Sequence, residues 1–315
     1  MLSLGLAVTS SLTSIDGLVR GPYSEGGLFP RLALDFDDNK YATDVGSVTF
    51  ADAFTGNSPK LTYATTSNST MVNSAGNIVW APHNLLTTST DISGGNWSNS
   101  GGVITENAVL APDGTQTGST YDTEGVYRIL RNVVSVSTGS TYTWSFYAKN
   151  IDATDATYRV YDNTQAANIV APTSYFSQIN TSDWTRVHVT FTVPAGCSVV
   201  AVYLTSGNNY GTVAFWGSHV YRSDLGGMNP VPGAATGFEY YVPTNGAVEY
   251  LPRVGHHVYN GSTWVNEGLL IESEARTNLV TYSEDFSNAA WQKSRSTAVL
   301  NAVGPDGVSN SAATL

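Results

Sequence analysis

Charge is scarce in this chain. Of 315 residues, 12% are Asp, Glu, Lys or Arg, about half the usual share for a soluble domain. Ser, Thr, Asn and Gly fill the surface instead. Basic residues are the scarcer kind: 14 Lys and Arg stand against 25 Asp and Glu, a formal net charge of −11. An acidic chain lacks the electrostatic footprint for nucleic-acid phosphates, which excludes binding through them. The single cysteine, Cys197, excludes an internal disulfide, so stability must come from packing and assembly. One thiol also suits maturation in a reducing cytosol. No apolar run is long enough to span a bilayer. The start at Met1 is briefly apolar but has no basic n-region and no long h-region, so it reads as a docking strand rather than a signal peptide.

What is present points to strands. Hydrophobic residues make up 41%, with 18 Tyr and 7 Trp, and no ten-residue stretch carries a helical apolar stripe. An all-β fold is expected. Thr141-Tyr-Thr-Trp-Ser-Phe-Tyr-Ala-Lys149 alternates strictly, which assigns Tyr142, Trp144 and Phe146 to a core face and Thr143, Ser145 and Tyr147 to the other. Residues 158–162, 185–193, 199–205 and 212–221 continue the series, separated by Gly, Asn and Asp turns, as in a sandwich or jelly roll. Asn245-Gly246 and Asn260-Gly261 are hairpin turn signals.

The chain repeats itself. Asn84 to Trp97 and Asn278 to Trp291 align without a gap and share seven of fourteen residues. A Pro-Asp-Gly follows each, at Pro112 and Pro305. The same module therefore begins twice. This divides the chain into an N-terminal attachment section (1–83), a complete jelly roll (84–223), a β-hairpin connector (224–277) and the start of a second jelly roll (278–315). The 38 residues from Asn278 onward are too few to bury a β-domain's core, so the chain is expected to be the front part of a longer protein. Residues 1–83, thin in apolar residues, are expected to pack on a neighbour.

Asn278-Leu-Val-Thr-Tyr-Ser-Glu-Asp-Phe-Ser-Asn-Ala-Ala-Trp291, Pro305-Asp-Gly, Tyr142-Thr-Trp-Ser-Phe-Tyr-Ala-Lys149 and Phe215-Trp-Gly-Ser-His-Val220 together resemble a module recurrent in virion proteins of tailed bacteriophages. Gly268-Leu-Leu-Ile-Glu-Ser-Glu-Ala-Arg-Thr-Asn-Leu279 is similar to a linker that precedes it. The resemblance implies a carbohydrate-binding-module-like jelly roll on tail fibres, head fibres or head decorations. It implies other capsid or tail subunits as partners, a homo-oligomeric assembly, host surface glycans as ligands and the outer surface of the particle as location. The usual Gln-Leu-Glu after the Trp-Gly pair is replaced here by Ser218-His219-Val220-Tyr221.

A sugar site needs aromatic rings for pyranose C–H faces and polar side chains for hydroxyls. Candidates on the non-core face are Tyr147, Arg159, Tyr161 and Tyr203, with Asn208 and Tyr210 on an adjacent loop. The same tyrosines would suit a protein interface, so an architectural decoration protein that binds no sugar stands as the alternative. A polysaccharide depolymerase is the third reading. The acids cluster in turns such as Asp152, Asp155, Asp162 and Asp183, where solvent would not give one carboxyl the raised pKa that glycoside hydrolysis needs. The five histidines show no ligand spacing, and Gly-x-Ser-x-Gly is absent. The Asp35-Phe-Asp-Asp-Asn39 run lacks the Gly and Glu of a calcium loop. No enzyme activity, catalytic residue or cofactor is expected. Jelly-roll sugar binders often hold a structural calcium ion, but no position for one is legible here.

Overall fold

The structure, a computed structural model, describes residues 63, 65–206, 211–226, 228, 241–271, 280, 282–283, 285–304 and 308–314, and the backbone of strands Leu32–Asp35, Lys40–Thr43 and Gly46–Val48. Among these residues the fold is all-β, with one 3-10 turn at Phe176–Gln178. The chain divides into two compact units: Met1–Gly46 with Asn68–Ala81 and Pro252–Leu315, and Ser47–Ser67 with Pro82–Leu251.

The larger unit contains a two-sheet jelly roll of ten strands. They are β1 (Ser98–Asn99), β2 (Val103–Val109), β3 (Gly118–Asp122), β4 (Ile129–Ser135), β5 (Thr141–Asn150), β6 (Thr157–Asp162), β7 (Ala167–Ser174), β8 (Thr185–Thr192), β9 (Val199–Ser206) and β10 (Thr212–Arg222). The front sheet runs β7-β6-β9-β4-β1 and the back sheet β8-β5-β10-β3-β2, with antiparallel pairing throughout. Because the chain passes between sheets at nearly every turn, each sheet's inner face meets the other's across one core.

Alternation fills that core as the sequence predicts. Tyr142, Trp144, Phe146 and Ala148 of β5 are buried against Val160, Val200, Val202, Leu204, Phe215 and Tyr175. Trp144 is fully buried, its ring 4.7 Å from Phe146. Burying a side chain of this size contributes roughly 1.5–3 kcal/mol. Two of the large aromatic side chains in the core have their polar tips paired, as burial requires. Trp144 Nε1 donates to Ser218 Oγ at 3.0 Å and Tyr175 Oη to the Leu204 carbonyl at 3.1 Å.

The outer face of the back sheet is covered over β5 and β10. Strand β3 pairs with only the first part of β10, from Thr212 to Phe215. Residues 83–89 take the free half of that edge: Leu85 N–H donates to the Val220 carbonyl and Ser218 N–H to the Ser89 carbonyl. Glu249 and Tyr250 then pair with Asn84 and His83, and Asn245 bridges to Thr88. The Asn245-Gly246 turn thus serves a partner some 160 residues earlier in the chain, which local turn chemistry cannot reveal. Asn84 secures the arrangement, donating to the Ser218 and Val242 carbonyls and accepting from the Leu86 and Val220 N–H groups. Gly217 adopts φ +62° at a bulge in β10, and a Cβ there would lie 3.6 Å from the Tyr241 ring. The positive φ favours glycine, while the contact is an ordinary one.

The smaller unit is built from short antiparallel pairs. Thr70–Val72 pairs with Ile78–Trp80, Arg253–Val254 with Leu269–Leu270, and His257–Tyr259 with Trp264–Asn266 around the Asn260-Gly261 turn. The repeat has a structural counterpart here. Trp97 Nε1 donates to the carbonyl of Thr88, nine residues back, and Trp291 Nε1 donates to that of Tyr282, also nine back, both at 2.8 Å. Each tryptophan therefore has a job within its own module. Leu86 and Ile92 are buried in the first copy, whereas their counterparts Val280 and Phe286 are exposed.

Candidate functional site

The front sheet presents the outer face that residues 83–89 and 241–251 leave uncovered. Antiparallel register aligns Arg131 of β4, Tyr203 of β9 and Arg159 of β6 in one row across three adjacent strands. The next row holds Val133, Ala201 and Tyr161. Their inward neighbours Val160, Val200, Val202 and Val134 belong to the core, which fixes the outward direction of the row by the period of two.

The row is tightly organised. The Arg159 guanidinium lies 3.9 Å over the Tyr203 ring and 4.9 Å from that of Tyr161, and the two rings meet edge to face at 6.3 Å. Arg131 approaches Tyr203 from the other side at 5.7 Å. Arg131 Nη1 donates to the Tyr203 hydroxyl at 3.2 Å and to Asn163 Oδ1 at 3.1 Å. Between the two arginines Tyr203 is only 4% exposed, while Tyr161 and both guanidiniums remain partly open and Asn163 and Val133 are exposed. Such a face offers an aromatic ring and an aliphatic side chain to C–H surfaces, with fixed donors and an amide beside them.

The candidate residues separate. Arg159, Tyr161 and Tyr203 come together on the front sheet. Tyr147 does not join them: it lies on the back sheet's outer side, buried between Trp216, Tyr241 and Arg186. Burial also raises its phenol pKa, and Arg186 opposes that rise. Alternation distinguishes inward from outward positions but not one sheet's outside from the other's, and the segment that covers Tyr147 arrives nearly a hundred residues later. Asn208 and Tyr210 lie outside the described residues. Arg131 and Asn163 were not among the candidates. The signal for Arg131 was the alternation of Leu130, Asn132 and Val134 against Arg131, Val133 and Ser135.

Beneath Tyr241 the back sheet holds a buried polar cluster. Ser89 and Tyr241 share a hydrogen bond of 2.7 Å between their hydroxyls. Arg186 Nη2 donates to Ser145 Oγ at 3.0 Å. His219 is fully buried, its Nε2 2.8 Å from the His83 carbonyl, and His83 Nε2 accepts the Arg222 N–H. Desolvation holds the His219 pKa well below its ordinary value, assisted by the Arg186 charge. Among the described residues no group of three or more His, Cys, Asp or Glu side chains is gathered as a metal site would require. No helix among them is long and apolar enough to cross a membrane.

No protein-family model and no curated protein sequence matches the chain. Solved structures do. The chain is similar to the enzymatically active domain of bacteriophage CBA120 tailspike protein 4, at 18% identity over 44% of this chain and 22% of that one, with a TM-score of 0.35. It is similar to the CBM22-1–GH10 modules of Clostridium thermocellum endo-1,4-β-D-xylanase 10B, at 15% identity over 45% of this chain and 28% of that one, with a TM-score of 0.34. A third is the CBM22-1 xylan-binding domain of Paenibacillus barcinonensis Xyn10C, at 12% identity over 50% of this chain and 97% of that one, with a TM-score of 0.33. The chain spans less than a third of the length of the first two.

Proposed function

We propose that this chain is a non-enzymatic structural protein of a tailed-phage particle, exposed on its outer surface, whose jelly roll adheres to host or environmental glycans. One observation carries the glycan part: on the outer face of the front sheet the partly exposed Tyr161 stands beside the Arg159 guanidinium, in the row next to Arg131 and the exposed Asn163 amide that Arg131 holds. This arrangement supports stacking and hydroxyl recognition side by side. The phage part rests on the sequence resemblance alone. A module of this kind binds weakly by itself, and repetition along an assembled particle would raise its avidity. A glycan array with the full chain tests the reading: bound glycans that are lost on Tyr161→Ala support it, and silence across the array refutes it. Release of reducing sugar from a bound polysaccharide would replace it with a depolymerase.

A purely architectural role is the second reading. The hairpin His257–Asn266 favours it, because Tyr259 and Trp264 are exposed on one side and Val258 and Val265 on the other. A two-stranded hairpin of this kind is marginal in water, and apolar side chains on both faces suit a protein partner.

A further inference from the structure

We infer that the front-sheet face recognises a polyanionic glycan, with an oxyanion of the ligand seated on each of the Arg131 and Arg159 guanidiniums. This rests on the adhesion reading above and narrows it to a ligand class.

The distribution of charge carries the inference. The chain holds 25 acidic residues against 14 basic ones, yet the five strands of the front sheet contain one acid, Asp162. Asp162 is turned inward and buried, where its Oδ1 accepts the Thr164 and Gln165 N–H groups at 2.8 and 2.9 Å. The outer side of these strands therefore bears two cations and no anion. The two ion pairs among the described residues, Arg128 with Glu124 and Arg222 with Asp224, involve neither of these cations.

Hydrogen bonding sharpens the argument. A guanidinium has five donors in a planar fork. Arg131 spends Nη1 on Tyr203 and Asn163, and its other side-chain donors have no partner among the described residues. Among the described residues the Arg159 side chain makes no hydrogen bond; its Nε is buried without a partner, which leaves its two Nη groups as the donors that face outward. A buried, unpaired donor on a charged group is costly. The tyrosine rings hold both guanidiniums in place, so a fork is pre-organised at each before any ligand arrives. Neutral hydroxyls would satisfy the donors but leave the charges unanswered. A carboxylate, sulfate or phosphate satisfies both at once, in the bidentate geometry for which the fork is suited. The backbones of Arg131 and Arg159 lie on strands two apart in the sheet, about 10 Å from each other. A polymer with repeated acidic groups can engage both forks at once. Tyr161, in the next row beside Arg159, supplies the stacking surface for the sugar.

The test titrates the full chain with polygalacturonate, hyaluronate, alginate and polysialic acid, each beside the same polymer with its carboxyls reduced to alcohols. Dextran sulfate beside dextran separates sulfate from carboxylate as the source of the oxyanion. At least one acidic polymer should bind and its uncharged partner should bind at least ~10-fold more weakly, the scale of one lost charge-assisted pair. Arg131→Gln and Arg159→Gln should each reproduce most of that loss, and galacturonate monomer should compete poorly. Because Arg159 packs on Tyr203, the melting temperature of each variant is measured alongside, and Arg131→Gln carries the test if Arg159→Gln unfolds. Equal binding of charged and uncharged partners, or arginine variants that bind acidic polymers as the parent does, would overturn the inference and leave glycan adhesion standing. Binding to none of these polymers while a neutral glycan on the array is held would do the same. Binding to no glycan of any kind removes both readings.

Discussion

Arg159 and Tyr203 form a stack of 3.9 Å that divides the tyrosines of the front face into two kinds. Tyr203 has a guanidinium from each neighbouring strand against it and is almost fully covered, while Tyr161 is partly exposed. Tyr161→Ala is expected to weaken glycan binding by about 1–2 kcal/mol, as loss of an aromatic anchor does, with little change in melting temperature. Tyr203→Ala should cost about 2–3 kcal/mol of stability, because it removes buried aromatic area and the support of both arginines. Binding isotherms and urea unfolding of the two variants check this. The opposite pattern would mean that Tyr203, not Tyr161, meets the ligand.

Trp144 sets the scale for the core. It is fully buried among Phe146 and Tyr158, with its indole N–H on Ser218. Trp144→Ala should destabilise the unit by roughly 3–5 kcal/mol. Trp144→Phe keeps much of the packing but removes the donor that Ser218 accepts, and should cost about 1–3 kcal/mol. Equilibrium unfolding separates these amounts. A loss under 1 kcal/mol for Trp144→Ala would remove this residue from the core.

These residues also show how far the sequence could be read. Strict alternation at 141–149 identified the inward set Tyr142, Trp144 and Phe146, because a strand places every second side chain on one face. The same alternation could only call Tyr147 outward. What lies over an outward residue is decided by long-range pairing, here by residues 83–89 and 241–251 closing on β10. Tyr241 covers Tyr147 through Trp216, and no local pattern encodes that meeting. Arg131 illustrates the converse. Its strand was legible, but an arginine alternating with apolar residues reads as an ordinary solvent-facing position until register sets it beside Tyr203.

Cys197 is buried with its sulfur near the Val199 carbonyl. Burial, and then the neighbouring Asp162 carboxylate, push its pKa up to about 11. Thiolate, the reactive form, is therefore scarce at neutral pH. An aromatic disulfide reagent at pH 8 should leave the native chain unmodified and label one thiol per chain in denaturant. Rapid labelling of the native protein would mean that this end of the sandwich opens readily.

His219 makes stability depend on pH in a stated direction. Complete burial, reinforced by the Arg186 charge, depresses its pKa in the folded chain, whereas the unfolded chain leaves it near the ordinary value of about 6.5. Below that value the unfolded state takes up a proton that the folded state refuses. Stability is therefore complete above about pH 6.5 and falls as pH drops toward the depressed pKa, by up to about 1.4 kcal/mol per pH unit for one such group. His83 adds to the effect by geometry, since its Nε2 can accept the Arg222 N–H only while unprotonated. His219→Gln keeps a donor toward the His83 carbonyl and removes the titration. Unfolding free energies of the parent and this variant, measured between pH 7.5 and 5.5, should converge on acidification, because the parent loses more. Parallel curves for His219→Gln would show that the His219 ring is reached by solvent or protonated in place, and that the segment 241–251 does not seal the back sheet.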